Sequence, residues 1–401
     1  MNNITFFKFI MLSYLVLLLS SCKKDNGKID NPNIIINEQF SFAAHQKGGD
    51  LIKTDNGGYL LFGATSTDGE YYDLYVIETD ENGKEKWHAV YGETSISSGT
   101  DIRYIDEQAV RVVELPSGEY VLVCNRTYHK EYSVSGVFVP EKTKIVLYKI
   151  GSTGGNISSI ELDSEDDYSY SAADIELLDD GGFILVGNTT NINKNKPQYF
   201  AYKDYDKKDM LVTRLNSDFT KNWASGAASS QGRGFVGIDA ATGVAVTKDG
   251  YYLVTGTVQE MDMVANEKLE NNLIAMLYEP TQGGVVNQKT YGLGYELITN
   301  DMYFDQATGE AIVLGYEPIP NFKSGNLVVV KITTGGFNLE FPEPAELYGA
   351  NGKAIQDEDG STLTKPLIGN RIIKGLNTHK YAIGSTVYSH MNGEGEWLWF
   401  R

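Results

Sequence analysis

The stretch "DNGGYLLFGAT" (residues 55–65) sets a polar Gly-Gly turn before a short apolar strand that closes on Gly63 and small residues. The same sentence returns as "DDGGFILVGNT" (179–189), "KDGYYLVTGTV" (248–258) and "ATGEAIVLGYE" (307–317). Recurrence at a near-constant period is the signature of a repeat architecture. Aligned on Gly63, Cys124, Gly187, Gly256, Gly315 and Gly384, the units follow one another at 61, 63, 69, 59 and 69 residues.

Each unit holds a strand before this stretch and an alternating third strand after it. The third strands read "DLYVIETD" (73–80), "KIVLYKIG" (144–151), "DMLVTRLN" (209–216), "NLIAMLYE" (272–279) and "NLVVVKIT" (326–333). A fourth follows, as in "KWHAVYG" (86–92) or "NQKTYG" (287–292). Period-two alternation, β-branched and aromatic enrichment and Gly/Asp/Asn turns specify antiparallel strands. The fold expected is all-β: a single β-propeller of six four-stranded blades over 34–401, with a two-sheet sandwich as the alternative. The sixth unit ends at Arg401 one strand short, and "NIIINEQFSFAAH" (33–45) is expected to supply it and close the ring.

The chain opens with Lys8 and an apolar run from Phe9 to Leu19, too short to span a bilayer and of signal-peptide form over 1–21. "LSSC" (19–22) resembles the bacterial lipobox, which implies cleavage before Cys22 and lipidation of its thiol. Residues 22–33 then form the lipidated Cys and a polar tether. The formal charge is −19, and loss of Lys8 with the leader makes it −20, which argues against nucleic acid and against a basic membrane-facing patch. Cys124 is the other cysteine, within the apolar "YVLVCNRT" (120–127), and reads as an inert core thiol.

The stretch "TDNGGYLLFGATSTDGEYYDLYVIETDENGKEKWHAVYG" (54–92) resembles the repeat of propeller lipoproteins common in Bacteroidetes, running from a Gly-Gly-Tyr strand through an Asp-led strand to Trp87 and a closing Tyr-Gly. The Trp recurs at Trp223. The resemblance implies a lipid-anchored envelope protein, at the outer membrane and cell surface, with binding or accessory roles. It hands over no catalytic residue.

Loop lengths divide the two faces. Turns within the hairpins are terse ("DNGG", "PSGE", "DDGG", "KDG"), whereas loops after the second strand are long, as in "NRTYHKEYSVSGVFVPEKT" (125–143) and "NTTNINKNKPQYFAYKDYDKK" (188–208). The long-loop face gathers Tyr71, Tyr72, Arg103, Tyr104, Tyr128, Tyr132, Tyr199, Phe200, Tyr202, Tyr205, Arg233 and Phe235. Tyrosine offers wide contact area at low entropic cost, so these form the candidate binding surface for a glycan or peptide. The five histidines show no metal-ligand spacing, and the acidic loops 163–167 and 357–360 read as solvated rather than as calcium loops. Neither metal nor cofactor is expected. The leading expectation is a non-enzymatic binding lipoprotein serving an outer-membrane uptake system. The alternatives are a protein–protein scaffold of the envelope and a glycosidase or lyase using carboxylates in the central funnel. Cys22→Ser should leave the protein unlipidated and released from membranes; retention in carbonate-washed membranes would overturn the lipobox reading.

Overall fold

The computed structural model describes residues 45–92 (except 68 and 70), 95–98, 101–129, 142–162, 168–191, 208–225, 239–262, 267–292, 296–318, 325–342, 346–348, 355–356, 362–363, 367–374, 381–388 and 393–400. Strands and turns account for the regular structure, and no helix occurs among the described residues. The first unit is an antiparallel meander of His45–Lys53, Tyr59–Ser66, Asp73–Thr79 and Glu85–Tyr91, in sheet order. The second runs Asp101–Glu114, Tyr120–His129, Lys142–Ile150 and Asn156–Glu161, with Ser95–Ser98 added at its edge. The third, fourth and fifth begin at Tyr168–Leu177, Ala240–Val246 and Ile298–Asp305 and repeat the four-strand order. These are the blades of a β-propeller.

Among the described residues five four-stranded units form, rather than the six expected. Leu367–Lys374, Tyr381–Tyr388 and Gly393–Phe400 make a three-stranded sheet. The segment expected to complete it, 33–45, lies outside the described residues apart from His45, which begins the first strand of the first sheet.

A shared irregularity explains the glycine on which the units align. Every first strand skips a residue in its pairing with the second, between Gly48 and Asp50, Ala109 and Arg111, Ala172 and Asp174, Ala241 and Gly243, Thr299 and Asp301, and Gly369 and Arg371. Such a bulge bends the strand and re-aims the side chain that follows it. Gly63, Gly187 and Gly256 sit opposite the bulge, paired with Gly48, Ala172 and Ala241. A Cβ on Gly63 would lie 2.6 Å from the Lys47 carbonyl oxygen, and one on Gly187 or Gly256 would collide with the Ser171 or Ala240 carbonyl. Glycine is kept there because the bulged backbone occupies the side-chain space.

Consecutive sheets pack face to face through apolar seams. Leu60, Phe62, Leu74 and Val76 of the first sheet meet Leu122, Cys124, Val146 and Tyr148 of the second, and similar clusters join the second to the third, the third to the fourth and the fourth to the fifth. Each fully buried Leu or Val stabilises by roughly 1.5–3 kcal/mol relative to exposure, so the seams carry most of the favourable energy. Burial pushes the Cys124 thiol well above its ordinary range, as expected of an inert core thiol.

The two repeated tryptophans bind across seams. Trp87 Nε1 donates to the Ser152 carbonyl at 3.0 Å and Trp223 Nε1 to the Pro280 carbonyl at 2.9 Å, each in the last turn of the following sheet. Each indole also covers a glycine of that turn, Gly154 (φ 80°) or Gly283 (φ 70°), at van der Waals contact with no room for a side chain. In the fourth sheet Asn287 makes the equivalent bond, donating to the Phe337 carbonyl at 2.6 Å. Gly187→Ala should cost roughly 2 kcal/mol or more by forcing the bulge apart, read as a lower denaturation midpoint with an unchanged m-value. A neutral Gly187→Ala would mean that the bulge relaxes freely.

Candidate functional site

The residue after each bulge occupies one equivalent register position: Asp50, Arg111, Asp174, Gly243, Asp301 and Arg371 in sheets one to six. Three of these aspartates meet one arginine. The Arg111 Nε donates to Asp174 Oδ1 at 2.6 Å, its Nη2 to Asp301 Oδ1, and its Nη1 lies 3.7 Å from Asp50 Oδ1. A side chain from the second sheet thus touches the first, third and fifth, which requires the first strands to converge on a common axis.

The aspartates also stitch neighbouring first strands together. Asp50 Oδ2 accepts the Val112 N–H of the second sheet at 2.9 Å, and Asp174 Oδ2 accepts the Val244 N–H of the fourth at 2.9 Å. These N–H groups are opened by the bulges, so the carboxylates satisfy backbone donors that the ladder leaves free. Gly243 leaves this position bare, and a Cβ there would press on the Met302 Cβ at 2.7 Å.

Among the described side chains three carboxylates converge on one guanidinium. Burial pushes Asp50 and Asp174 up, while Arg111 and the backbone N–H bonds pull them back. Burial works against the charge on Arg111, but Asp174, Asp301 and Asp50 outweigh it and raise its pKa.

Two residues beyond Asp174, on the same face of the same strand, stands Glu176. Solvent reaches this side chain, yet protein encloses it, so water touches it without the full solvation of an outer surface. Enclosure pushes its pKa up to about 7, the Asp174 charge adds to the rise, and Arg111 opposes it. The corresponding positions are Ile52, Val113, Ala245 and Tyr303, so Glu176 is the single carboxylate at that level among the described first strands. A carboxyl that holds its proton near neutrality, beside carboxylates fixed by a cation, can donate that proton to a bound group.

The aromatic residues singled out in the sequence have divided fates. Tyr72 is 8% exposed, its ring lies beneath Lys47 Nζ at 3.5 Å, and its N–H donates to Asp106 Oδ1 at 3.0 Å. It is an anchor of the seam rather than an open stacking surface. Tyr71 meets His129 edge-on at 5.9 Å, with His129 Nε2 4.0 Å from Asp106 Oδ2. Tyr128 is drawn away from them: its hydroxyl donates to Glu161 Oε2 at 2.5 Å, and Lys144 pairs with the same carboxylate. Arg103 and Tyr104 lie on the first strand of the second sheet, paired with Ile96 and Ser95. Tyr132, Tyr199, Phe200, Tyr202, Tyr205, Arg233 and Phe235 lie outside the described residues, as does Cys22.

No family model and no curated protein matches the chain. Solved structures similar to it include the soluble aldose sugar dehydrogenase of Escherichia coli, at 10% identity and TM-score 0.40, covering 88% of this chain and 95% of that one. The xylan β-1,4-xylosidase of Bacillus halodurans is similar at 10% identity and TM-score 0.36, covering 89% and 80%. A subtype N10 neuraminidase-like protein of A/little yellow-shouldered bat/Guatemala is similar at 8% identity and TM-score 0.39, covering 88% and 93%. Two of the three are named as enzymes, and this finding stands against the expectation that this chain is not an enzyme. Likeness at this level passes no activity, substrate or residue to the chain.

The sequence reading missed the axial residues, although a signal was present. Asp50, Arg111, Asp174, Gly243 and Arg371 stand thirteen positions ahead of Gly63, Cys124, Gly187, Gly256 and Gly384, and Asp301 fourteen ahead of Gly315. Charged residues at one register of a repeat, ahead of an apolar strand, mark a shared axis. Removing Arg111 takes from three buried carboxylates the cation they share. Arg111→Gln should cost roughly 3–5 kcal/mol at pH 8 and less at pH 5, where the aspartates can take up protons. Denaturant titration at both pH values checks this; a loss independent of pH would assign Arg111 to packing alone.

Proposed function

We propose that this protein is a lipid-anchored propeller of the cell envelope that acts on a glycan, with acid–base chemistry at the axis carried by Glu176. The single observation behind the reading is Glu176 itself: a carboxyl reached by solvent, its pKa raised to about 7, beside the aspartates that Arg111 holds. In hydrolysis of a glycosidic bond, Glu176 gives its proton to the leaving oxygen as the C–O bond breaks, and water adds to the sugar carbon and returns a proton to Glu176. Asp174 has Oδ1 bonded to Arg111 and Oδ2 to the Val244 N–H, so its part is fixed negative charge facing the developing positive charge of the sugar, not nucleophilic attack. The long-loop face, with Tyr71 beside His129 at the first-to-second seam, is the entry for the polymer. Anchorage through Cys22 at the outer membrane, delivery of products to an outer-membrane transporter, and a sixth blade completed by 34–44 belong to the same proposal; the lipobox-like Leu19–Cys22 and the shared register of Arg371 support them.

The test is turnover of a polysaccharide panel by mature protein carrying Cys22→Ser. Glu176→Gln should lower kcat at least 100-fold with the fold intact, and wild-type kcat/KM should fall as pH rises above about 7, when the acid is lost. The sign of the stability effect is independent of activity. A carboxyl with a raised folded pKa binds its proton more tightly in the native state, so stability falls as pH climbs from about 4.5 through 7. Glu176→Gln should flatten that decline. Full activity in Glu176→Gln against any substrate found would remove Glu176 from the chemistry.

A further inference from the structure

We propose a divalent-cation site, of calcium type, in the seam between the first and second sheets, held by Asp73 and Glu107. The Glu107 side chain is wholly buried. Its Oε1 accepts from Arg126 Nε at 2.9 Å and from the Tyr148 hydroxyl at 3.1 Å, while its Oε2 has no hydrogen-bond partner. A buried carboxylate oxygen left bare is costly and calls for an occupant.

Asp73 opens the third strand of the first sheet, and its Oδ1 converges on the same spot. Gly92, the glycine of the closing Tyr-Gly, marks that spot: a Cβ there would lie 2.8 Å from Asp73 Oδ1 and would collide with Glu107 Oε2. Its φ of 133° is a conformation that favours glycine, so the backbone skirts the two oxygens without a side chain between them. Like charges from two sheets therefore meet across a gap lined by glycine. Burial pushes both carboxyl groups up; at Glu107 Arg126 and the Tyr148 hydroxyl oppose the rise and the Asp73 charge adds to it.

The arrangement recurs in correlated form. The Glu107 N–H donates to the Tyr72 carbonyl, the residue before Asp73, and the Asp239 N–H donates to the Lys208 carbonyl, the residue before Asp209. The third-to-fourth seam thus repeats the acid pair as Asp209 and Asp239. Between the fourth and fifth sheets the Leu297 N–H donates to the Asn271 carbonyl, and there the pair is Asn272 and Leu297. Where the Asp is replaced by an amide, the partner acid is gone as well. A guest that needs both negative charges accounts for their joint presence. Paired carboxylate oxygens select a hard cation, and calcium tolerates the irregular geometry and added water of such a seam. Arg126 occupies only Oε1, which leaves Oε2 and Asp73 to face the ion.

The experiment uses full-length mature protein with Cys22→Ser, stripped with EGTA and titrated with calcium chloride by calorimetry and by thermal melting. Wild type should bind calcium saturably and melt several degrees higher when loaded. Asp73→Asn, which installs the side chain found at Asn272, and Glu107→Gln should each lower the stoichiometry by one ion, or weaken that binding at least tenfold. Asp73→Asn removes only a repulsion and should melt no lower than stripped wild type, which separates loss of binding from loss of fold, whereas Glu107→Gln also breaks the buried pair with Arg126 and is read by binding alone. Unchanged stoichiometry in both variants overturns the site. So does a stripped wild type that ignores calcium but gains stability on acidification, with that gain lost in the variants: the pair would then share a proton.

Discussion

The radial arrangement depends on one guanidinium. Arg111 ties Asp174 and Asp301 and approaches Asp50, so four first strands, one of them 190 residues from Arg111 in sequence, are fixed about one axis. Burying charges in this way is expensive, and the cost is offset only because each carboxylate is also hydrogen-bonded. The bulges supply those bonds. By breaking the pairing of first and second strands they free the Val112 and Val244 N–H groups, which Asp50 and Asp174 capture. Charge, bulge and glycine are therefore one device: the bulge turns the acid toward the axis, the acid satisfies the bulge, and glycine on the second strand makes room for it.

Away from the axis a different physics holds the blades. Seams of Leu, Val, Ile and Tyr supply non-directional burial, which fixes spacing but tolerates sliding. Trp87 and Trp223 remove that freedom by donating to a carbonyl of the next sheet while covering its turn glycine. Polar groups buried in the seams, Glu107 above all, stand apart from this scheme because packing alone gives no reason for their charge.

Function follows from the same division. The long-loop face, rich in tyrosine, offers fewer open rings than its composition suggests, since Tyr72 is covered by Lys47 and Tyr128 is spent on Glu161. Among the described residues the axis offers a different feature: a carboxyl whose pKa is raised to about 7, beside carboxylates held by Arg111. Placing chemistry on regular strands rather than loops limits its motion.

What was legible in the sequence is local. Alternation of apolar residues, Gly-Asp-Asn turns and a repeated strand gave the order of strands within each unit and the positions of the terse hairpins, because both depend on residues a few places apart. The buried, inert state of Cys124 was legible for the same reason. What only the tertiary structure decided is where the units meet. Period-two alternation tells which residues share a face but not which neighbour that face will meet, so Tyr71 beside His129, Trp87 over Gly154 and Glu107 against Asp73 were beyond it. The Arg111 cluster was legible only in part: its members share one register of the repeat, but that partners one, one and three units away along the chain meet on a single guanidinium was decided by the turning of the whole ring.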